Sequence, residues 1–564
     1  MNIPNIYDVI VIGSGVSGGW AAKEFCENGF KTLVLERGKD VKHIKDYPTA
    51  HHDPWQFEHA NTLTLDTKSK NPIASKCYAF KEDAKHFFLQ DEEQPYIQEK
   101  PFDWIRADAV GGKSLLWARQ VQRWSDYDFE GPARDGFAVD WPIRYKDIAP
   151  WYSYVEKFIG VSGNRDGNQA MPDGEFLKPF DLNTVERMIQ QKINSKYSDR
   201  QVIQGRCAHI TDPQPIHIAQ GRTQCQSRTL CQRGCPFGGY FSSNSSTLPW
   251  AAKTGNLTLV PNKLVHSIIY DDASGKAKGV LVIDRETKKT EEYFAKIIFV
   301  NASTIATNAL LLNSKSSRFP NGLGNDSGVL GKYVTFHNYM GSIWGSVEGY
   351  EDKYYYGRRP TQPIIPNFRN VKKQETDFLR GYASFFSAGR HRGVWTEGAQ
   401  VGKTYKDNLT QLSGWGVGMM MQGETIPNIN NHVRLSESEN DPYGLPQIIT
   451  SVGYQDNDFK SMEDFIIQGS EMLEYVGVKN IQAARNKQSN PGIDIHEMGG
   501  ARMGNDPKTS ILNEWNQIHH CKNVFVTDGA SMVSSGTQNP SLTFMALTAR
   551  AANYAIQEMK KGNL

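Results

Sequence analysis

The sequence predicts an α/β protein in which a nucleotide-binding domain on a parallel sheet is interleaved with a second, α+β lobe on an antiparallel sheet. Three observations carry this expectation. Val9-Ile10-Val11-Ile12 runs directly into Gly13-Ser14-Gly15-Val16-Ser17-Gly18-Gly19. A similar apolar run, Val524-Phe525-Val526, recurs near the far end and leads into Thr527-Asp528-Gly529. No internal repeat or low-complexity linker divides the chain between them. Uninterrupted apolar strands of this kind mark a parallel sheet buried on both faces.

The first unit is strand, glycine turn, helix, strand. A helix is expected over Trp20 to Glu27, ended by Gly29, with a second strand over Thr32 to Leu35. The glycines have distinct tasks: a tight turn, close approach of backbone to a pyrophosphate, and close packing of helix on strand. Glu36 then stands where an acid accepts hydrogen bonds from a ribose hydroxyl. Four apolar runs, Leu257–Val260, Val265–Tyr270, Gly279–Ile283 and Ile297–Asn301, predict a meander with a turn at Asp271 to Gly275. Residues 340–460 differ in character, with Tyr354-Tyr355-Tyr356, Phe385-Phe386, Trp395, Trp415 and Met419-Met420-Met421. There the second lobe is expected, with aromatic, arginine and glutamine side chains on the substrate side. A helix is expected over Leu542 to Ile556, with Asn539 as its N-cap and Pro540 at its first position.

Bulk properties narrow the class. At 564 residues and 39% hydrophobic content, the chain has material for two or more lobes. A net charge of +2, from 63 basic and 61 acidic residues, gives no basis for a nucleic-acid partner. No apolar run approaches the roughly 18 residues of a membrane span. Met1-Asn2-Ile3-Pro4-Asn5 lacks the basic region of a secretory signal. The plain expectation is a cytoplasmic protein; the alternative is export bound to a partner that carries the signal.

The chemistry concentrates in three places. Gly111-Gly112-Lys113-Ser114 permits close approach of backbone to a flat or phosphorylated ligand. His496, followed by Glu497-Met498-Gly499-Gly500, is placed to project from a loop as a base for an alcohol proton. Cys225, Cys231 and Cys235 form a Cys-x5-Cys-x3-Cys-Pro segment able to hold three irons of a cluster. A zinc site completed by His209 or His217, a disulfide with a spare thiol, and three free thiols remain open readings.

The N-terminal loop, Gly111-Gly112, the His496 segment, Asp528-Gly529 and Asn539-Pro540 together resemble the glucose–methanol–choline (GMC) oxidoreductases. The likeness spans nearly the whole chain. Within the family it is nearest the FAD-dependent gluconate, sorbitol, glucose and glucoside 3-dehydrogenase catalytic subunits, with pyranose oxidase more distant. The resemblance implies a Rossmann-like FAD-binding domain of residues 1–130, 215–330 and 490–564, and a substrate domain of 131–214 and 331–489. It implies FAD contacts from Gly13, Ser14, Gly15, Ser17, Gly18, Glu36, Arg37, Gly111, Gly112, Ser114, Val265, Asp528, Gly529 and Thr543. The FAD is expected to be non-covalent, because Leu116 stands where pyranose oxidase has its flavin-linking histidine. His496 is the implied catalytic base and Asn539 its partner, with hydride passing from a sugar carbinol, at C3 of a glucoside, to flavin N5.

The resemblance also implies a 3Fe–4S cluster on Cys225, Cys231 and Cys235, a small subunit, and a c-type cytochrome or quinone-linked acceptor. A periplasmic location by co-export would accompany them. The competing expectations are an oxygen-using sugar oxidase, a non-catalytic flavoprotein subunit of a respiratory complex, and a choline-type alcohol dehydrogenase.

Overall fold

The computed structural model describes residues 6–355, 360–393 and 401–564; Met1 to Asn5, Tyr356 and Trp395 lie outside the described residues. An eight-stranded sheet runs Gln517–Ile518, Cys521–Val526, Thr290–Val300, Ile6–Ile12, Thr32–Leu35 and Leu257–Val260, with Lys263–Asp271 and Lys276–Asp284 attached as an antiparallel meander. The pairings from Cys521–Val526 through to Leu257–Val260 are all parallel. Their registers pair Val526 with Val300, Val300 with Ile12, Ile12 with Leu35, and Leu35 with Val260. Five strand ends therefore finish at one edge, and Gly13, Glu36, Asn301 and Asp528 follow within two residues of it. Ligands of open α/β sheets bind at this carboxyl edge.

The first helix begins at Val16, earlier than expected, and runs to Glu27. Ser17-Gly18-Gly19 has low helix propensity, but packing requires small residues inside the helix. A Cβ on Gly18 would overlap the Gly13 carbonyl, and one on Gly19 would overlap the Thr247 hydroxyl. Gly29, at φ +84°, follows the helix C-cap. The second strand lies where its apolar run puts it, but the four-strand meander is corrected: Leu257–Val260 pairs in parallel with Thr32–Leu35, and only Lys263–Asp271, Lys276–Asp284 and Thr290–Val300 form the antiparallel run, since an apolar run does not specify which strand it pairs with. Val9, Val11, Val34, Phe299 and Phe525 are fully buried, joined by Ala551, Ala552 and Ala555 of the C-terminal helix Ser541–Lys560.

The second lobe is built on an antiparallel sheet ordered Ile364–Ile365, Tyr382–Gly389, Trp415–Glu424, Gly341–Val347 and Lys479–Arg485, with His337–Asn338 also paired to Trp415–Glu424. Strand alternation explains its aromatic and methionine content. Trp415, Val417, Met419 and Met421 enter a core closed by the helix Asp456–Val476, while Met420 faces the other way, into a cavity. A five-stranded sheet, Met498–Gly500, Lys332–Thr335, His432–Asn440, Pro446–Ser451 and Ile97–Gln98, draws strands from both expected domains. Among the described residues no helix is long and apolar enough to cross a membrane.

Candidate active site

A cavity of about 950 Å³ runs from the carboxyl edge of the parallel sheet to the face of the antiparallel sheet. Its first end is a glycine cradle. Gly13 takes φ +91°, and a Cβ there would overlap the carbonyl of Asn301. The second glycine loop lies against the first, since the Gly111 N–H donates to Ser14 Oγ at 2.8 Å. Gly111 itself, at φ +89°, has no room for a side chain beside Asn244. Ser14 donates to Glu36 Oε2 from its N–H at 2.9 Å and its hydroxyl at 2.5 Å, while Glu36 Oε1 accepts the Gly38 N–H at 2.7 Å. Glu36 thus braces the loop as well as facing the cavity.

Asp528 closes the cradle from the far end of the chain. Its Oδ2 accepts Ser303 N–H at 2.9 Å and Thr307 Oγ1–H at 2.5 Å, and its Oδ1 accepts Ala530 N–H at 3.0 Å. Burial nevertheless pushes its carboxyl up to about 6. Gly13, Ser14, Gly15, Ser17, Glu36, Arg37, Gly112, Ser114, Val265, Asp528 and Gly529 all line the cavity. Three expected contacts stand behind the wall instead. Gly18 packs on Gly13, Gly111 binds Ser14, and Thr543 Oγ1 hydrogen-bonds Tyr152 Oη at 2.7 Å.

At the other end, His496 and Asn539 meet, with His496 Nε2 at 3.2 Å from Asn539 Nδ2. The capping expectation for Asn539 is corrected here: Pro540 occupies the N-cap, and the Asn539 side chain makes no cap bond. Its amide turns to the histidine instead, and Asn539 Oδ1 has no hydrogen-bond partner among the described residues. His496 Nδ1 lies 2.8 Å from Nδ1 of His337, whose Nε2 lies 3.1 Å from both the Ser535 and the Gly536 carbonyl oxygens. Asp494 Oδ2 accepts backbone N–H groups from His337 at 3.0 Å and His496 at 3.3 Å.

Electrostatics favour neutral imidazoles. Burial lowers His337 to about 4, and burial, the neighbouring His337 and the Lys113 charge hold His496 well below the usual imidazole range. Asp494, enclosed by the cavity walls, is pushed up to about 7, mainly by burial. Lys113 Nζ pairs with Glu497 Oε2 at 3.1 Å, beside the second glycine loop. Gln120, Tyr339, Ser342, Gln362, Phe385 and Gln422 form a mixed polar and aromatic wall around the pair. Tyr339 Oη donates to Gln422 Oε1, and Gln422 Nε2 donates to the Thr537 carbonyl at 2.9 Å.

The family description GMC oxidoreductase matches residues 7–337 with its N-terminal part and 427–548 with its C-terminal part. This chain is a GMC oxidoreductase. It is 27% identical to 2-methyl-1,2-propanediol dehydrogenase of Mycolicibacterium austroafricanum, over 97% of this chain and 94% of the relative. It is 25% identical to the fructose dehydrogenase large subunit of Gluconobacter japonicus, over 98% of each chain. Paromamine 6'-oxidase of Streptomyces fradiae is 24% identical over 97% of this chain and 91% of its own. Among solved structures, pyridoxine 4-oxidase from Mesorbium loti superposes with a TM-score of 0.60 at 14% identity, over 97% of this chain and 98% of its own, a likeness of fold. The GMC oxidoreductase is therefore an FAD-dependent enzyme acting on alcohol or sugar hydroxyls.

The cavity fits that cofactor on its own geometry. The paired glycine loops leave backbone where side chains cannot stand, and the helix Ser541–Lys560 directs its positive end, through Pro540 and Ser541, into the same space. Leu116, buried and apolar, lines it and offers no nucleophile.

The cysteine segment gives a different result. Cys225, Cys231 and Cys235 are free, half-buried thiols, and Cys231 lines the cavity. Among the described residues the three do not converge as a single-ion site requires. His217 is spent on Lys157 O at 3.0 Å and Gln214 N at 3.1 Å, so it completes no zinc site. Gly234 packs on the Tyr47 ring, Gly238 on Arg222 and Gly239 on Cys225, so all three glycines have packing duties. The structure shows no cysteine-rich cluster site among the described residues.

Sequence reasoning did not find His337 or Asp494 as members of the site. His337 is isolated within Thr335-Phe336-His337-Asn338 and carries no motif of its own. Asp494 stands two residues before His496, and that proximity was the available signal.

Proposed function

We propose that this GMC oxidoreductase is a sugar dehydrogenase that oxidises a secondary hydroxyl of a glucoside or related sugar, at C3, to the 3-keto product. The His496–Asn539 pair, set where the glycine cradle meets a wall of glutamine, tyrosine and serine side chains, carries the reading. His496 Nε2 takes the hydroxyl proton as general base, the O–H bond breaking as the N–H bond forms. Asn539 borders the same nitrogen, its amide 3.2 Å from Nε2, and gives up that lone pair to the sugar hydroxyl when substrate enters. FAD, when bound by residues 13–17, Glu36, Gly112, Ser114 and Asp528, supplies the hydride acceptor. The second-lobe residues 131–214 and 331–489 present the polar wall apart from Gln120, and 1–130, 215–330 and 490–564 form the FAD-binding body.

The same reading extends to electron exit to a cytochrome or quinone-linked acceptor, through a 3Fe–4S cluster only if the free thiols of Cys225, Cys231 and Cys235, which stand apart in this structure, draw together on taking up iron. A small subunit and periplasmic co-export would accompany it. Its support is the cysteine spacing, the placement of Cys231 on the cavity wall and the likeness to a relative named as a large subunit. A second reading, an oxygen-using sugar oxidase, is favoured by the relative named paromamine 6'-oxidase.

The deciding experiment mixes purified, FAD-loaded protein with a panel of glucosides without oxygen and follows flavin bleaching. Iron content, the EPR spectrum and peroxide yield in air are measured alongside. Bleaching by glucosides that His496→Ala lowers by about 10²-fold or more is expected. Equal bleaching in His496→Ala overturns the base assignment, iron-free protein overturns the cluster, and stoichiometric peroxide establishes the oxidase.

A further inference from the structure

The histidine behind the base has a chemical consequence that follows from hydrogen-bond polarity. The Ser535 and Gly536 carbonyls can only accept, and both lie 3.1 Å from His337 Nε2, so that nitrogen carries the proton. His337 is fully buried and its pKa lies near 4, so at neutral pH it holds one proton and Nδ1 is bare. The 2.8 Å contact between His337 Nδ1 and His496 Nδ1 then needs its proton from His496. His496 is also neutral, which leaves Nε2 as the bare nitrogen, and Asn539 Nδ2 donates to it at 3.2 Å.

We infer that His337 is a positioning residue that locks His496 into the tautomer with its lone pair on Nε2, facing the cavity. Two backbone carbonyls thus set the protonation of the base through one intervening imidazole. Asp494 assists by accepting backbone N–H groups from both histidine segments on a single oxygen, which holds the rings in register. When Nε2 takes the hydroxyl proton, Nδ1–H keeps its acceptor, so neither imidazole must rotate during the step. His337 touches neither the sugar nor the cofactor in this scheme.

A metal ion would explain the cluster differently, since His337, Asp494 and His496 are close enough together to hold one. The geometry speaks against it. Two imidazole nitrogens on a tetrahedral zinc stand about 3.3 Å apart, from bond lengths of about 2.05 Å, whereas these are 2.8 Å apart. Asp494 already accepts backbone N–H groups on both oxygens, including Gly492 at 3.1 Å.

The inference rests on His496 being the base, so the test separates the two. His337→Asn keeps an acceptor near the place of Nδ1, and His337→Leu removes it. In FAD-loaded protein mixed rapidly with substrate, His337→Leu is expected to slow flavin reduction at least about 10-fold. Its half-saturating sugar concentration should change less than about 2-fold, and His337→Asn should recover most of the rate. Unchanged reduction in His337→Leu, with His496→Ala inactive, overturns the inference and leaves the base standing; unchanged reduction in His496→Ala overturns the base itself. If the leucine variant does not fold, 15N-histidine spectra of the wild-type protein decide, with His496 assigned by its loss in His496→Gln. A protonated Nδ1 and bare Nε2 are expected, and the reverse pattern overturns the inference.

Discussion

Replacing Lys113 by methionine tests the electrostatics of the site with a magnitude taken from its geometry. Glu497 is almost sealed, its side chain 2% exposed, and Lys113 Nζ at 3.1 Å is its ion-pair partner; the other carboxylate oxygen has no hydrogen bond among the described residues. Stripping one member from a sealed pair leaves an uncompensated charge costing about 3–5 kcal/mol. The lysine side chain is 28% exposed, so solvent screens part of this, and about 2–3 kcal/mol is the working figure. Glu497→Gln removes the stranded charge, so Lys113→Met with Glu497→Gln should recover most of the loss. For a chain of this size about 2–3 kcal/mol lowers the melting temperature by about 2 °C if it unfolds as one unit. The assay is differential scanning calorimetry of wild type, both single variants and the double variant, all at saturating FAD so that ligand linkage is constant. A second readout follows from the Lys113 charge, which helps hold His496 down. In Lys113→Met the acid limb of the flavin-reduction profile should move to higher pH, because the base takes its proton earlier. Equal melting temperatures for Lys113→Met and the double variant would refute the reasoning.

Three further outcomes are expected. Gly18→Ala puts a Cβ onto the Gly13 carbonyl, so the first helix must shift; purified protein should retain FAD at least about 10-fold more weakly, and unchanged retention on gel filtration counts against the cradle. With Leu116 in the second glycine loop, acid precipitation should release all flavin into the supernatant, and flavin left in the washed pellet would contradict non-covalent binding. Burial raises Asp458 to about 7, above its unfolded value of 3.8, so folding favours its protonated form. Its contribution is therefore most favourable below the unfolded pKa and is lost as pH rises towards 7. Asp458→Asn should gain stability relative to wild type across that window, by at most about 4 kcal/mol, and a pH-independent difference in melting temperature would sink the assignment.

What was legible in the chain was local. Val9 to Ile12, Thr32 to Leu35 and the runs around 257–300 announce buried strands because each is apolar over its own length, independent of partners. The glycines at 13 and 18 are likewise readable, since tight turns and close packing leave few other residue types permissible. The helix starts at Val16, ahead of the Trp20 that propensity favours, because close packing overrides the poor propensity of Ser17-Gly18-Gly19. Asn539 has the neighbours of a cap, but the contact that claims its side chain comes from His496, 43 residues earlier in the chain.

By itself the sequence determined the α/β class, the nucleotide cradle and the presence of a histidine and an asparagine suited to alcohol oxidation. Each follows from short-range pattern, turn chemistry or side-chain type. Only the tertiary structure decided that His337 stands behind His496, that Lys113 faces Glu497, and that Asp528 holds the Ser303 and Thr307 turn beside the glycine cradle. Those relations join residues far apart in the chain, and hydrogen-bond polarity acts only once folding has brought a donor and an acceptor within about 3 Å. The nitrogen of His496 that holds its proton is a property of that assembled chain of contacts, ending in two backbone carbonyls that carry no sequence signal.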